Sequence, residues 1–252
     1  RLRSQQYFGP VVFYKVELLS QILNSIQVIP EFPGYTIALY ASAHAVLVGH
    51  MNKVLYTQNP PKTDFTEHEQ VVLLELVSEF LRSHGGGVVD SVSPGGLINS
   101  RREVVGNPLV SIVIPTRAIF SIIEGEEKSL VVDAVRSIIE LTTYSNYEIV
   151  LVADSVAEPR VLKELSQITG DKLKVVPWDR PFNFSQKMNF GVLHASGDFV
   201  LLLNDDVEVI SPDWLREMLA LAQLPNAGMV GAMLYYEDDT IQHAGHAYFE
   251  GS

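Results

Sequence analysis

The sequence contains no cysteine. That excludes a disulfide scaffold, a thiolate metal site and a cysteine nucleophile, and it fits a reducing compartment. Long apolar runs are missing as well. None reaches the roughly 18 residues that a spanning helix needs, and the longest, around residues 37–48, is interrupted by His44. Positive charge is scarce: 18 Lys and Arg face 30 Asp and Glu, a net charge of −12. This balance argues against nucleic acid as a partner and against broad attraction to an anionic membrane, while leaving room for a local basic pocket and a peripheral membrane contact. The chain opens on Arg1 rather than Met and shows no signal-peptide pattern, so a processed terminus or a piece of a longer protein is expected.

What is present suits a globular fold. The 252 residues are 47% hydrophobic and 19% charged, enough apolar material for one large or two small domains. The charge is unevenly divided. Residues 1–108 carry 8 basic and 9 acidic side chains, whereas residues 109–252 carry 10 and 21. An acidic region that binds an anion needs a cation or a focused set of basic groups and N–H donors.

The first hundred residues read irregularly. Residues 11–29 suit either a helix or a strand, with Pro30, Pro33 and Gly34 breaking the pattern, and residues 46–56 suit a short strand pair. Thr66 followed by Glu69 is a capping-box pattern, and Val71, Leu74, Val77 and Leu81 continue a helical stripe to His84, stopped by Gly85-Gly86-Gly87. Residues 85–108 read as a connecting loop with a short strand at 88–89.

From Leu109 the pattern becomes regular. Apolar strands are expected at 109–114, 147–152, 173–176, 199–203 and 229–234. They alternate with helices at 128–141, 158–168, 184–195 and 213–223, the last with Pro212 at its first position. Strands that are apolar throughout and alternate with helices predict a mostly parallel sheet covered on both faces. Ligands of such sheets bind at the carboxyl ends of the strands. Those ends carry Pro115, Thr116 and Arg117; then Asp154; then Asp179, Arg180 and Asn183; then Asn204, Asp205 and Asp206. Singly each is an ordinary loop residue, but four consecutive polar strand ends favour a site. Asp205 and Asp206 repel one another unless a cation sits between them. Their hard oxygens suit Mg²⁺ or Mn²⁺ bound together with substrate phosphates.

The segments LVSIVIPTR (109–117), YEIVLVADS (147–155), RPFNFSQKMNFG (180–191), GDFVLLLNDDVEV (197–209), SPDWL (211–215) and TIQHAG (240–245) stand in order. As an ordered set they resemble the donor-binding half of family 2 glycosyltransferases of the bacterial surface-polysaccharide type. The resemblance implies a GT-A, Rossmann-like fold over 109–252, cut before its acceptor-binding part. It also implies a divalent cation and a UDP- or dTDP-sugar donor, whose sugar passes with inversion to a glycan or lipid-linked glycan acceptor. By the same resemblance Pro115, Thr116 and Arg117 line the base and ribose, and Asp154 accepts from the nucleoside. Ala153 replaces a frequent second acid there. Arg180, Asn183, Lys187 and Asn189 approach the nucleotide and diphosphate, and His243 lies near the donor. Asp206 matches the last acid of the DxD motif, with Asn204 in place of the first, so the metal depends on Asp205 and Asp206. The general base is expected beyond Ser252, and the protein is expected in the cytoplasm, including the inner face of the membrane.

HMNKVLY (50–56), after residues 33–40, resembles the closing segment of a preceding module of the same kind that lacks its acidic motif. Residues 1–60 are therefore expected to be the tail of such a module, and a smaller mixed α/β segment is expected ahead of the GT-A domain. Residues 61–108 would then be a helical linker and loop. His243 and His246 have zinc-like spacing but no further ligand pattern. Two other functions compete. A sugar nucleotidyltransferase needs a glycine-rich loop after the first strand, and no glycine follows Pro115 until Gly125. A non-catalytic nucleotide-sugar or partner-binding module would need no base.

Overall fold

The computed structural model describes residues 12–48, 64–84, 86–123 and 125–245. The chain divides into two compact units, Arg1–Glu103 and Val104–Ser252.

The first unit is a small mixed α/β segment: helices α1 (Val16–Ser25), α2 (Pro33–His44) and α3 (Glu67–Ser83), then an antiparallel hairpin of β1 (Val88–Val92) and β2 (Ile98–Arg101). Pro33 and Gly34 do not break a helix here but begin one. Proline has no N–H to lose in the first turn, and its φ is already helical. The expected capping box is present: Glu69 Oε2 accepts from the Thr66 N–H at 2.8 Å, and Thr66 Oγ1 accepts from the Glu69 N–H at 3.3 Å. Ile22, Leu39, Val77 and Phe80 build the core, joined by Val89 and Ile98 of the hairpin. The loop expected at 85–108 is therefore partly a hairpin. Gly96 (φ +73°) makes its turn, where a Cβ would meet the Phe65 ring at 2.4 Å. Of the strand pair expected at 46–56, residues 46–48 are not strand; the rest, with HMNKVLY, lies outside the described residues.

The second unit is built on β3 (Val110–Thr116), buried along all seven residues. After it come a small antiparallel hairpin, β4 (Ser121–Ile123) and β5 (Glu126–Lys128), and helix α4 (Leu130–Leu141). Then follow β6 (Tyr147–Asp154), α5 (Pro159–Thr169), β7 (Leu173–Trp178), α6 (Phe184–Leu193), β8 (Phe199–Leu202) and α7 (Trp214–Ala222). The four long strands form one parallel sheet in the order β7-β6-β3-β8. Alternation along the strands divides the core. Ile112, Ile114, Ile149 and Leu151 pack against α4, α5 and α7 on one face. Val113, Val150, Val152 and Val176 pack against Met188 of α6 on the other. Helices cover both faces, as the apolar strands required.

α6 sits very close to its sheet. A Cβ on Gly191 would lie 2.4 Å from Val113 Cγ1 and 2.8 Å from Val152 Cγ2. At the opposite strand ends Glu148 Oε1 accepts from Ser111 Oγ and from the Ser196 N–H, both at 2.6 Å. Burial would raise this carboxyl, but those bonds and the Lys174 charge take it below its usual value.

Two expectations change. The fifth parallel strand at 229–234 is not formed. Only Leu234–Tyr235 (β9) is extended, in a two-stranded antiparallel ribbon with Ile241–His243 (β10), separate from the parallel sheet. Pro212 precedes the N-cap residue Asp213 rather than opening α7, and its carbonyl accepts from the Thr143 N–H at 3.0 Å.

Candidate active site

β3, β6 and β7 end together: Thr116 is level with Ala153, and Asp154 with Trp178. β8 stops earlier, opposite Val113, so Asn204, Asp205 and Asp206 turn beside the last residues of β3. A cavity of about 400 Å³ opens there, lined by Pro115–Ala118, the three residues of the acidic turn, Lys187, and parts of the β4–β5 hairpin and the start of α4.

The loop leaving β3 is held tightly. Ala118 is buried and has φ +51°, a conformation that costs a residue with a Cβ about 1–2 kcal/mol. Hydrogen bonds impose it. The Ala118 N–H donates to Thr116 Oγ1 at 2.9 Å, and its carbonyl accepts from the Glu158 N–H at 2.8 Å. Glu158 Oε1 in turn accepts from the Phe120 N–H at 2.9 Å. Arg117 beside it is exposed at the rim.

Asp205 is half-buried and Asp206 exposed. Burial pushes the Asp205 carboxyl above its usual range and the Asp206 charge adds to this; a hydrogen bond with the Thr116 side chain and the Lys187 charge oppose it. A carboxylate held partly out of water beside a second one is a donor set that a cation would relieve. Among the described residues no group of three or more His, Asp or Glu is placed to hold a metal. Two carboxylates do fit Mg²⁺ or Mn²⁺, which complete their shells with substrate phosphates and water rather than an all-protein cage.

The remaining expected residues separate into two groups. Asp154 and Lys187 meet: Lys187 Nζ lies 2.5 Å from Asp154 Oδ1 and donates to the Thr116 carbonyl at 2.8 Å, with the lysine only 1% exposed. Of these two, only Lys187 lines the cavity; Asp154, Asn183, Asn189, Arg180 and His243 do not, and Asp154 adjoins the site through the lysine. Asn183 caps α6, accepting from the Gln186 N–H at 3.0 Å. Asn189 is exposed on α6. The Arg180 guanidinium stands 5.5 and 5.7 Å over the rings of Trp178 and Phe190. His243 lies in β10, and His246 is outside the described residues.

Sequence reasoning missed the hairpin. Ser121, Ile123 and Lys128, with Ser129 at the N-cap of α4, line the cavity, as do Phe182 and Phe184, which are 73% and 48% exposed. The one sequence signal for the hairpin was Gly125, whose φ of +85° serves its turn.

No helix among the described residues is long and apolar enough to cross a membrane. The chain is 46% identical over 142 residues to the uncharacterized protein y4gI of Sinorhizobium fredii, 56% of this chain and 15% of that protein. It is 28% identical over 251 residues to the O-antigen biosynthesis protein RfbC of Myxococcus xanthus, 97% of this chain and 19% of that one. The chain thus spans less than a fifth of either relative. Among solved structures it is similar to the mannosyltransferase PcManGT from Pyrobaculum calidifontis in complex with GDP-Man and Mn²⁺ (TM-score 0.40, 17% identity, 48% of this chain and 34% of that one). It is also similar to S. aureus TarS (TM-score 0.36, 19% identity, 45% and 32%). The family model of glycosyl transferase family 2 matches residues 111–250, more than half of the chain and nearly all of the second unit, and the chain belongs to that family.

Proposed function

We propose that residues 109–252 bind a nucleotide sugar together with a divalent cation, for inverting transfer of the sugar to a glycan or lipid-linked glycan acceptor. The observation that carries this is the acidic turn. Asp205 and Asp206 face a cavity at the carboxyl edge of a parallel sheet, and burial together with the neighbouring Asp206 charge holds the Asp205 carboxyl above its usual range. Asp206 and Asp205 would hold Mn²⁺ or Mg²⁺. When bound, such an ion offsets diphosphate charge and stabilises the leaving nucleotide. The chain's own groups do the rest. Pro115, Thr116 and Arg117 form the floor and rim for the base and ribose, and Asp154 accepts from the nucleoside. The name of the Myxococcus relative supports a surface polysaccharide as the product. We place the activity in the cytoplasm or at the inner face of the membrane.

Calorimetry with UDP or dTDP, with and without Mn²⁺, tests this on the wild type and Asp206→Ala. Metal-dependent nucleotide binding that is lost in the variant is the expected result; equal binding by both proteins refutes the metal assignment. Among the described residues lining the cavity only Asp205 and Asp206 are acidic, and both are assigned to the cation. That favours a second reading, a donor-binding module that does not itself accept the acceptor's proton. Donor binding with Mn²⁺ but no hydrolysis or transfer would establish it.

A further inference from the structure

Lys187 is the only charged side chain fully buried among the described residues. Its Nζ is closed in by two groups from separate strand ends, the carboxylate of Asp154 on β6 and the carbonyl of Thr116 on β3. Its charge also acts on Asp205. The resemblance to the family suggested a lysine reaching toward the nucleotide and its diphosphate. Two of the three ammonium donors are engaged and the lysine is only 1% exposed, so a phosphate oxygen could reach Nζ only by pushing Asp154 or the Thr116 carbonyl aside and leaving it uncompensated, which the low-dielectric interior opposes. Asp154 Oδ1 is buried against Nζ, yet the Asp154 side chain keeps 16% of its exposure. The lysine therefore fixes the rotation of this carboxylate while leaving part of it open to solvent.

We propose that Lys187 is a positioning residue: it orients Asp154 for nucleoside recognition and does not bind the donor's phosphates. This rests on the donor-site reading above. α6 supplies the rigidity, since its approach to Val113 and Val152 at Gly191, one turn after Lys187, leaves no room for the helix to slide.

The test compares nucleosides with nucleotides. Uridine, UDP, thymidine and dTDP are titrated without metal and with Mn²⁺ into wild type, K187M, K187R, D154N and the D154N/K187M double variant. Positioning predicts that K187M weakens nucleoside and nucleotide by the same factor, about tenfold, equivalent to about 1.4 kcal/mol. K187R, which keeps the buried charge, recovers most of the loss, and the double variant binds no more weakly than D154N alone. Should K187M not fold, K187R and the comparison of D154N with the double variant decide the question. An unchanged nucleoside affinity with a weakened diphosphate affinity, or additive losses in the double variant, overturns the proposal and leaves the donor site standing. A wild type that binds none of the four ligands overturns the donor-site reading and this inference with it.

Discussion

Replacing Gly191 by alanine sets two known effects against each other. Alanine is the better helix former by about 1 kcal/mol. The new methyl, however, would stand 2.4 Å from Val113 Cγ1 and 2.8 Å from Val152 Cγ2, where carbon atoms ordinarily rest about 3.5–4.0 Å apart. Relief requires α6 to rise by about 1 Å or a valine to turn. Both valines are fully buried on adjacent central strands, and β-branched side chains have little rotamer freedom. Overpacking of this kind costs about 1–3 kcal/mol; with two stiff neighbours the upper part of that range applies, for a net loss of about 1–2 kcal/mol. In a unit of this size that lowers Tm by roughly 2–8 °C. Both tryptophans, Trp178 and Trp214, lie in this unit, so their fluorescence during thermal unfolding reports on it directly. V113A should restore part of the loss, making the V113A/G191A variant more stable than the sum of its single changes. A G191A protein as stable as wild type, or more so, would refute the close-packing argument.

Other outcomes follow from the same geometry. E148A should cost about 1–3 kcal/mol at neutral pH, because Ser111 Oγ and the Ser196 N–H lose their acceptor. The Glu148 carboxyl is held below its usual value in the fold, so its contribution is complete above the unfolded pKa and disappears as pH falls through the folded one. Urea unfolding from pH 7 down to 3 should therefore show the E148A deficit shrinking; a deficit independent of pH refutes the assignment. T66A removes the cap acceptor of α3 and should cost about 0.5–2 kcal/mol. Amide exchange in the first turn of α3 should rise in that variant, and unchanged exchange would show that the box carries no weight. A118G, which relieves the φ of +51°, should stabilise the second unit by up to about 1 kcal/mol. A loss of stability there would mean that the methyl's packing outweighs the strain.

The parallel sheet was legible because its strands read as apolar runs; β3 and most of β6 are indeed buried on both faces, whereas the edge strands β7 and β8 keep exposed residues such as Val175, Val200 and Leu202. The acidic turn was legible because three short polar residues close an apolar strand. The hairpin at 121–128 was not, since strands of three residues carry too little pattern to separate from a loop. Residues 229–233 are apolar enough for a strand, but no neighbour in the parallel sheet pairs with them, and pairing rather than propensity makes a strand. Pro33 was misread because proline ends one helix and begins another with equal ease. Lys187 is the instructive case. Its positive charge invites a ligand-facing assignment. Yet Lys187, Met188 and Gly191 share the buried face of α6, and the i, i+4 spacing of the lysine with a helix-packing glycine was the available sign that the side chain points inward.

The placement of β3 has a consequence for biosynthesis. This strand lies at the centre of the sheet yet is made first. Its partner on one side begins at Tyr147, and on the other Val110 waits for Phe199, roughly 90 residues later. At ribosomal rates of about 5–20 residues per second, a strand that ends up buried along all seven residues spends on the order of 4–18 s with at least one edge unpaired. A nascent chain in that interval offers chaperones their target, and an elongation pause before Phe199 would lengthen the exposure.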